Sequence, residues 1–265
     1  MKSAALVLDL DGTLYCWMDA FALAIDAQIT YIAKKTGFTK KRIQSSFKIV
    51  FQRHGSVEVM DAAKELDIWM DSNLSQEEIC EIVSCSDTVF KEEFSNNLVL
   101  FSDVKETLDW AVDNKILLTA FSDARAFWVG FRLESLGIAD YFERIYVMED
   151  EITVSAPPQY KQMITLPEPL LKPNTFVLEE IIKEYQIIRE KVYYVGDSKD
   201  KDIRTANLAG VNGIWARYGK NCSKKSRHIL SSITHWTRGQ INRGNNIKPK
   251  YTIDEFSDIK GIIKV

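Results

Sequence analysis

Short apolar runs alternate with helical patterns along most of this 265-residue chain, and this alternation limits the possible folds more than any other feature. An uninterrupted apolar run fits a strand that is buried on both faces of a parallel sheet. Such runs occupy residues 4–8, 116–121, 145–148, 192–195 and 211–216. Stretches with helical spacing separate the later runs, at residues 103–114, 124–136, 174–185 and 202–209. The alternation predicts an α/β fold with a doubly wound, Rossmann-like parallel sheet.

Residues 16–96 interrupt the alternation, because they carry helical spacing and no evident strand. We predict helices over residues 21–32, after Thr39, over residues 58–70 and after Ser75, where Glu78 completes a capping-box pattern. The predicted domains are therefore an α/β core of residues 1–15 and 97–265 and an inserted all-helical domain of residues 16–96. Four prolines make residues 149–171 an expected irregular excursion, and a final short element is expected within residues 251–263.

Acidic residues follow two of the predicted strands at the ends where ligands of open α/β sheets bind. Asp9 and Asp11 come directly after the first strand, and Asp197 and Asp202 follow residues 192–195. Two like charges about 5 Å apart repel by roughly 3 kcal/mol at an effective dielectric near 20. Such a cluster requires a cation or protonation, and oxygen ligands without nearby His or Cys suit Mg²⁺. The sequence therefore predicts a Mg²⁺ site.

Four motifs in this order resemble those of the haloacid dehalogenase superfamily of hydrolases and phosphatases. They are the DLDGT sequence that begins at Asp9, Ser122 after an apolar strand, Lys172 before a helix, and the GDxxxxD pattern from Gly196 to Asp202. The resemblance spans most of the chain. It implies a Mg²⁺-dependent enzyme with a helical cap domain between the first and second motifs, which closes over the active site and selects the substrate.

The resemblance also implies a role for each matching residue. Asp9 would be the nucleophile that forms an aspartyl-phosphate, and Asp11 would be the general acid and base. Ser122 would hydrogen-bond a phosphoryl oxygen, and Lys172 would neutralise charge in the transition state. The expected metal residues are Asp9, Asp197 and, through its backbone carbonyl, Asp11. Asp202 would support the site or Lys172.

Two features depart from the family's pattern. Asp123 stands where the family often has Asn, so it adds negative charge beside the phosphate site, and Arg125 is a candidate to offset that charge. The long excursion before Lys172 leaves Lys161 as a second candidate for the motif lysine. Ser122 and Asp202 also have a simpler interpretation as helix caps.

The expected reaction is hydrolysis of a small phosphate monoester such as a sugar phosphate, a phosphoglycolate-like acid or a nucleotide. Asp11 argues against a dehalogenase or a phosphonatase, neither of which needs an acid for a leaving alkoxide. A phosphomutase of the same superfamily stays open, since it uses the same two aspartates. Trp17, Trp69, Arg53 and His54 are candidates for contact with the leaving group.

A basic segment at residues 217–250 supports the non-enzymatic alternative, an anion- or nucleic-acid-binding protein. It holds nine Lys or Arg and no Asp or Glu, although the chain carries a net charge of −3. The acidic pI of about 5.8 and the lack of a nucleic-acid-binding motif argue against nucleic acid. No signal peptide or membrane span is evident. The four cysteines fit no zinc pattern, so we expect reduced, mostly buried thiols in a cytoplasmic protein; no pattern specifies an oligomeric state.

Overall fold

The computed structural model describes residues 2–150, 160, 162–234 and 246–264. The chain forms two compact units. The first comprises Met1–Cys16, Val99–Asn221 and Asn242–Val265, and the second comprises Trp17–Leu98 and Cys222–Ile241. Within the described residues, the units thus differ from the predicted domains mainly at residues 222–234, which group with the helical unit rather than with the α/β core.

A parallel sheet forms the centre of the first unit, as the apolar runs predict. Over the described residues its seven strands lie in the order β4-β3-β2-β1-β5-β6-β7. In chain order they are β1 (Ala5–Leu8), β2 (Leu117–Arg125), β3 (Arg144–Met148), β4 (Met163–Leu166), β5 (Val192–Gly196), β6 (Asn212–Ala216) and β7 (Tyr251–Ile253). The chain therefore builds the sheet outward from β1 in one direction and then, from β5, in the other. The predicted doubly wound fold is confirmed.

Helices lie between most consecutive strands of the sheet, and further helices form much of the described part of the second unit. They are α1 (Trp17–Thr36), α2 (Lys40–His54), α3 (Gln76–Asn97), α4 (Val104–Asp113), α5 (Ala126–Leu136), α6 (Phe176–Tyr185), α7 (Arg204–Ala209), α8 (Lys224–Ile233) and α9 (Ile259–Ile262). Helix α8 packs against α1 and α2, which is why it groups with the second unit.

The sheet is held by burial of its central strands. All four residues of β1 are buried, so the strand has helices on both of its faces. Ala5 and Val7 belong to a core with residues of α6 and α7, including Val177, Ile181 and Ala206. Full burial of one such aliphatic side chain contributes roughly 1.5–3 kcal/mol. This rigid centre fixes the residues that follow β1.

Two predicted segments differ from the structure. Residues 58–70 were expected to form an α-helix, but they contain the two 3₁₀-helices Ala62–Glu65 and Asp67–Asp71. Asp61 has a left-handed backbone with φ 58°, and Asp67 is anchored to Arg42 and Ser46 of α2, so the segment follows its contacts rather than its helical pattern. The excursion at 149–171 contains strand β4, which pairs with β3. Residues 151–159 and 161 of this excursion lie outside the described part.

The expected last element is confirmed, since β7 and α9 fall within residues 251–263. The four cysteines, all in the described part of the chain, form no disulfide; three are half-buried and Cys80 is exposed. The expectation of mostly buried cysteines is therefore wrong. Among the described helices we find none with the length and apolar character of a membrane span. A cytoplasmic location stays a prediction.

Candidate active site

The carboxyl ends of β1 and β5 carry the first and last predicted motifs. These strands are neighbours in the sheet, although 183 residues lie between Leu8, the last residue of β1, and Val192, the first residue of β5. The direction in which strands are added reverses between them, and such a switch point is where doubly wound sheets bind ligands. The backbone N–H of Asp9 donates to the carbonyl of Val195 at 2.9 Å, which extends the pairing one residue beyond β1.

The Asp9 carboxylate is buried and bound on both oxygens. Lys172 Nζ lies 2.6 Å from Oδ1, and the Thr13 hydroxyl donates to Oδ2 at 2.9 Å. Each carboxylate oxygen can accept more than one hydrogen bond. The two contacts therefore fix the orientation of the group and still leave lone pairs for another ligand.

Lys172 links Asp9 to Asp202. Its Nζ is 2.8 Å from Asp202 Oδ1, and Asp202 also accepts from the Tyr194 hydroxyl at 3.0 Å and from the Ser198 backbone N–H at 2.9 Å. The side chains of Lys172 and Asp202 are each only 2% exposed. Asp202 is thus occupied by donors, which suits the predicted supporting role better than metal ligation.

The electrostatics of this cluster favour an added cation. Burial raises the pKa of Asp9 well above its usual range, and although Lys172 opposes this, the carboxylates of Asp202 and Asp197 raise it further. Burial acts to lower the pKa of Lys172, but Asp202 and Asp9 outweigh it and hold that pKa well above its ordinary value. Lys172 is therefore a stable cation, and one more positive charge would favour the ionised form of Asp9.

Three carboxylates converge closely enough to hold a metal ion. Oxygen atoms of Asp9, Asp197 and Asp202 all lie within 4.8 Å of one another. A donor set made only of carboxylate oxygens fits Mg²⁺, which keeps several waters besides one or two carboxylates. Asp202 accepts from three donors, which are Lys172, the Tyr194 hydroxyl and the Ser198 N–H, whereas Asp9 accepts from two. Asp9 and Asp197 are therefore the residues that fit the ion best.

Gly12 permits this convergence. Its backbone is left-handed, with φ 79°, and a Cβ there would lie 2.9 Å from Asp197 Oδ2 and 3.2 Å from the carbonyl oxygen of Gly219. Both contacts are shorter than normal van der Waals separations. The turn after Asp11 can therefore lie against the metal-ligand candidate only because residue 12 has no side chain.

Asp11 binds Arg132, a residue that no sequence motif indicates. Arg132 Nη1 lies 2.9 Å from Asp11 Oδ2, and the Arg132 side chain is 1% exposed. The side chain of Asp11 is thus held by α5 and lies outside the carboxylate cluster. Any metal contact of Asp11 would use its backbone carbonyl, as the resemblance implies. The one available signal was a lone charge in the apolar stretch FWVGFRL.

Ser122 and Asp123 lie where β2 loses its regular pairing with β3, between Phe121 and Arg125. Ser122 is buried, and its hydroxyl accepts from the Ala124 N–H at 3.1 Å, a local turn that leaves the hydroxyl proton to be donated elsewhere. Arg125 donates to the carbonyl of Glu149. The charge of Asp123 is instead met by Lys201, with Nζ 2.8 Å from Oδ2.

The remaining candidates have partners inside their own units. Arg53 and His54 both bind Glu65, and the Trp69 indole donates to the carbonyl of Ala63 at 2.7 Å. Trp17 packs edge-on against Phe21. Their predicted role in binding a leaving group has no support from these contacts. Lys161, the alternative motif lysine, lies outside the described residues.

The basic segment at 217–250 is divided between the two units. Arg217 pairs with Asp254 through two hydrogen bonds of 2.7 and 2.6 Å, and Lys250 donates to Asn212. Helix α8 carries Lys224, Lys225 and Arg227 in the second unit. Residues 235–245 lie outside the described part. The described part of the segment therefore does not form a single element.

A doubly wound sheet with a carboxylate–lysine cluster at its switch point is typical of an α/β enzyme. A family model described as haloacid dehalogenase-like hydrolase matches residues 4–210, and a second, described as HAD-hydrolase-like, matches residues 170–259. The chain belongs to the haloacid dehalogenase-like hydrolase family and is a hydrolase.

Individual relatives are similar along most of their length. A phosphoglycolate phosphatase of Vibrio vulnificus strain YJ016 is 26% identical over 216 residues, which cover 82% of this chain and 84% of the relative. A 2-haloacid dehalogenase structure from Pseudomonas syringae pv. tomato DC3000 is 17% identical with a TM-score of 0.60, and the match covers 99% of this chain and 98% of that one. An HAD phosphatase structure from Thermococcus onnurineus gives 20% identity, a TM-score of 0.57 and coverages of 99% and 97%. These two structural likenesses concern the fold alone.

Proposed function

We propose that the protein is a Mg²⁺-dependent phosphatase that hydrolyses a small phosphate monoester through an aspartyl-phosphate on Asp9. The observation that carries the proposal is the environment of Asp9, whose buried carboxylate lies between Lys172 Nζ at 2.6 Å and the carboxylates of Asp197 and Asp202. A purely structural aspartate would not need a second and third carboxylate within reach.

In the first half-reaction an Asp9 oxygen attacks phosphorus. A bond forms between that oxygen and phosphorus, the bond from phosphorus to the ester oxygen breaks, and Asp11 donates a proton to the leaving oxygen. Lys172 keeps its charge because two carboxylates contact it, so it stabilises the negative charge on the phosphoryl group. Ser122 donates its hydroxyl proton to a phosphoryl oxygen.

In the second half-reaction water releases the phosphate. Asp11, now ionised, takes a proton from a water molecule while the water oxygen attacks phosphorus. The bond between phosphorus and the Asp9 oxygen breaks. The proton that Asp11 gave in the first step is thereby restored. Arg132, whose Nη1 lies 2.9 Å from Asp11 Oδ2, would stabilise the ionised form of Asp11 between the two steps.

Asp9 and Asp197, with the backbone carbonyl of Asp11, would hold the metal. When bound, Mg²⁺ supplies positive charge that favours the ionised nucleophile and neutralises phosphate oxygens. The chain's own contribution is the arrangement of those oxygens, including the close packing at Gly12. Chelation with EDTA is expected to abolish turnover, and added Mg²⁺ to restore it.

The presence of Asp11 favours a phosphate ester over a haloacid, because an alkoxide leaving group needs a proton and a halide does not. The Vibrio vulnificus relative is named a phosphoglycolate phosphatase, so a small phosphorylated acid is the first substrate to test. Sugar phosphates and nucleotides stay in the predicted class. The role of the helical unit in substrate choice is also a prediction.

A screen of phosphorylated metabolites tests the proposal. Phosphate release from the full chain is measured with Mg²⁺ and with EDTA, for the wild type, for Asp9→Asn and for Asp113→Asn as a matched control. Asp113 is an exposed acid at the end of α4. We expect Mg²⁺-dependent turnover in the wild type and the control and none in Asp9→Asn. Full turnover in Asp9→Asn would refute the nucleophile assignment.

The same assay separates a phosphatase from a phosphomutase. A mutase supplied with a sugar monophosphate and the corresponding bisphosphate would isomerise the sugar phosphate and release little free phosphate. We expect free phosphate to account for the substrate consumed. Isomer formation without phosphate release would show that the phosphoryl group is transferred to a sugar hydroxyl and not to water.

A further inference from the structure

An ion pair joins the second and fourth motifs across the carboxyl edge of β1. Asp123 lies in the irregular part of β2, and Lys201 lies in the π-helical turn Lys199–Ile203 after β5. The strands β2 and β5 flank β1 on its two sides. The contact between Lys201 Nζ and Asp123 Oδ2, at 2.8 Å, therefore spans the strand end that carries Asp9.

Both oxygens of Asp123 are bound. While Oδ2 contacts Lys201, Oδ1 accepts the backbone N–H of Lys172 at 3.1 Å. The side chain is 16% exposed, whereas Lys201 is 44% exposed. Asp123 is thus next to two of the residues proposed to bind phosphate. It follows Ser122 in sequence, and its side chain accepts the backbone N–H of Lys172.

A carboxylate in this position has opposing effects. Its charge is among those that hold the pKa of Lys172 high, and its contact with the Lys172 N–H fixes the loop that carries the lysine. The same charge repels a phosphate dianion, and the repulsion is strong where water is partly excluded. A positive charge bound to Oδ2 of Asp123 would leave Oδ1 to hold the Lys172 loop and would reduce the repulsion of the phosphate dianion.

We propose that Lys201 is a positioning residue of the phosphate site, which acts through Asp123 by neutralising its carboxylate and holding it in place. The inference rests on the proposed phosphatase function. In this proposal Lys201 does not contact the substrate, so its effect on phosphate binding must depend on the negative charge at residue 123. This dependence distinguishes it from a lysine that binds phosphate directly.

A double-mutant cycle tests the inference. The dissociation constant of inorganic phosphate in the presence of Mg²⁺ and the KM and kcat for p-nitrophenyl phosphate are measured for Lys201→Ala, Asp123→Asn and the double variant. Lys201→Ala should weaken phosphate binding and raise KM by about fivefold, the upper end for a partly exposed pair. Its kcat should change less than its KM, because Asp9, Asp11 and Lys172 are intact.

The double variant carries the decisive result. Without a charge at residue 123, loss of Lys201 should leave phosphate affinity within about twofold of the wild type. Asp123→Asn alone should not weaken phosphate binding, since an Asn oxygen can still accept the Lys172 N–H. Lys201→Arg, which keeps the charge, should behave as the wild type.

Arg204→Ala is the matched control. Arg204 pairs with Asp200 at 2.8 Å with an exposure of 47%, close to that of Lys201, so this change removes one positive charge from the same segment without freeing Asp123. It should leave KM unchanged. Equal melting temperatures across the set would show that folding is not the cause of any difference.

Three outcomes would overturn the inference: unchanged phosphate affinity in Lys201→Ala, a defect that Asp123→Asn does not rescue, or an equal defect in Arg204→Ala. Failure of the phosphatase proposal would look different, because the wild type itself would then hydrolyse no phosphate ester. The phosphate-binding cycle gives its answer in either case, since it needs no turnover.

Discussion

At the scale of single residues, Lys172 shows how a fully buried lysine keeps its charge. Its Nζ contacts Asp9 and Asp202, and the rings of Phe121 and Tyr194 lie with their centroids 5.2 and 5.6 Å away. Carboxylates and ring faces both attract a cation. The lysine is thus held as a fixed positive charge beside the proposed nucleophile.

Removal of this charge should slow the chemical step. We expect Lys172→Ala to lower kcat by about 10²–10³, the range for loss of one preorganised electrostatic contact, with a smaller change in KM. Steady-state kinetics with p-nitrophenyl phosphate measures both. Lys105→Ala, at an exposed position of α4, serves as the control. Equal kcat values for the two variants would exclude Lys172 as the motif lysine.

Asp87 on α3 gives a pH-dependent prediction for stability. Burial raises its pKa from 3.8 to about 6, Asp61 adds to the rise, and Lys91, the Gln28 hydrogen bond and Lys64 oppose it. As pH rises from about 4 to about 6, the unfolded chain loses this proton before the folded chain does. The free energy of unfolding therefore falls through that window and the loss is complete above it.

In Asp87→Asn the new side chain has the same shape as protonated Asp87 but cannot ionise. The variant should be more stable than the wild type by about 1 kcal/mol at pH 7.5, a discounted value because the site is only partly buried. At pH 4 the two proteins should be equally stable. Urea unfolding at both pH values is the measurement. A stability gain that is the same at pH 4 would assign the effect to packing instead of ionisation.

The positions of single residues in the fold were predictable where a motif follows a recognisable strand, while their roles stay predictions. Four of the acidic candidates follow a strand whose apolar run is visible in the sequence, namely Asp9, Asp11, Asp197 and Asp202. Lys172 follows β4, which has no such run, and was indicated by the order of the motifs alone. Arg132 and Lys201 were missed, since their partners Asp11 and Asp123 are distant in sequence. Only the folded sheet brings such pairs into contact.

At the scale of elements, the turn after β1 depends on its glycine. Gly12 and Gly37 have nearly the same backbone, with φ 79° and 78°, but a Cβ at Gly37 would meet nothing within 4 Å. An Ala at either position incurs the cost of a left-handed backbone, about 1 kcal/mol. Only at Gly12 does it also press on Asp197.

The two glycines therefore form a matched pair of variants. Gly37→Ala should lower stability slightly and leave the Mg²⁺ requirement unchanged. Gly12→Ala should in addition raise the Mg²⁺ concentration needed for half-maximal activity by at least about tenfold, as expected when a ligand-orienting contact is disturbed. Mg²⁺ titrations of turnover measure the difference. Equal Mg²⁺ requirements in the two variants would show that Mg²⁺ binding does not depend on the present position of Asp197.

Elements with a continuous apolar run were predicted well, and short or contact-dependent ones were not. β1 and β5 fall within one residue of the apolar runs. β4 has only four residues and is followed directly by Pro167, so no apolar run marked it. The helical spacing at 58–70 was misleading, because the Arg42–Asp67 contact and the left-handed Asp61 favour two short 3₁₀-helices.

At the scale of the whole molecule, the insertion after β1 explains why two units arise from one chain. The sequence predicted this interruption from the loss of strand runs after residue 15. The sequence did not predict that α8 would pack on α1 and α2, because the basic residues of this segment do not indicate which helices it contacts. Helix α8 of the basic segment lies in the second unit, whereas Arg217 and Lys250 lie in the first.

The central claim is that the phosphoryl group passes through Asp9. The most direct measurement is acid quenching of the Asp11→Asn variant during reaction with p-nitrophenyl phosphate and Mg²⁺, followed by mass spectrometry of its peptides. Nitrophenolate leaves without a proton, so the first step proceeds while hydrolysis of the intermediate lacks its base. A mechanism through Asp9 predicts one phosphoryl group on that residue and none in Asp9→Asn. Phosphate release with no labelled Asp9, or a label on another residue, would contradict it.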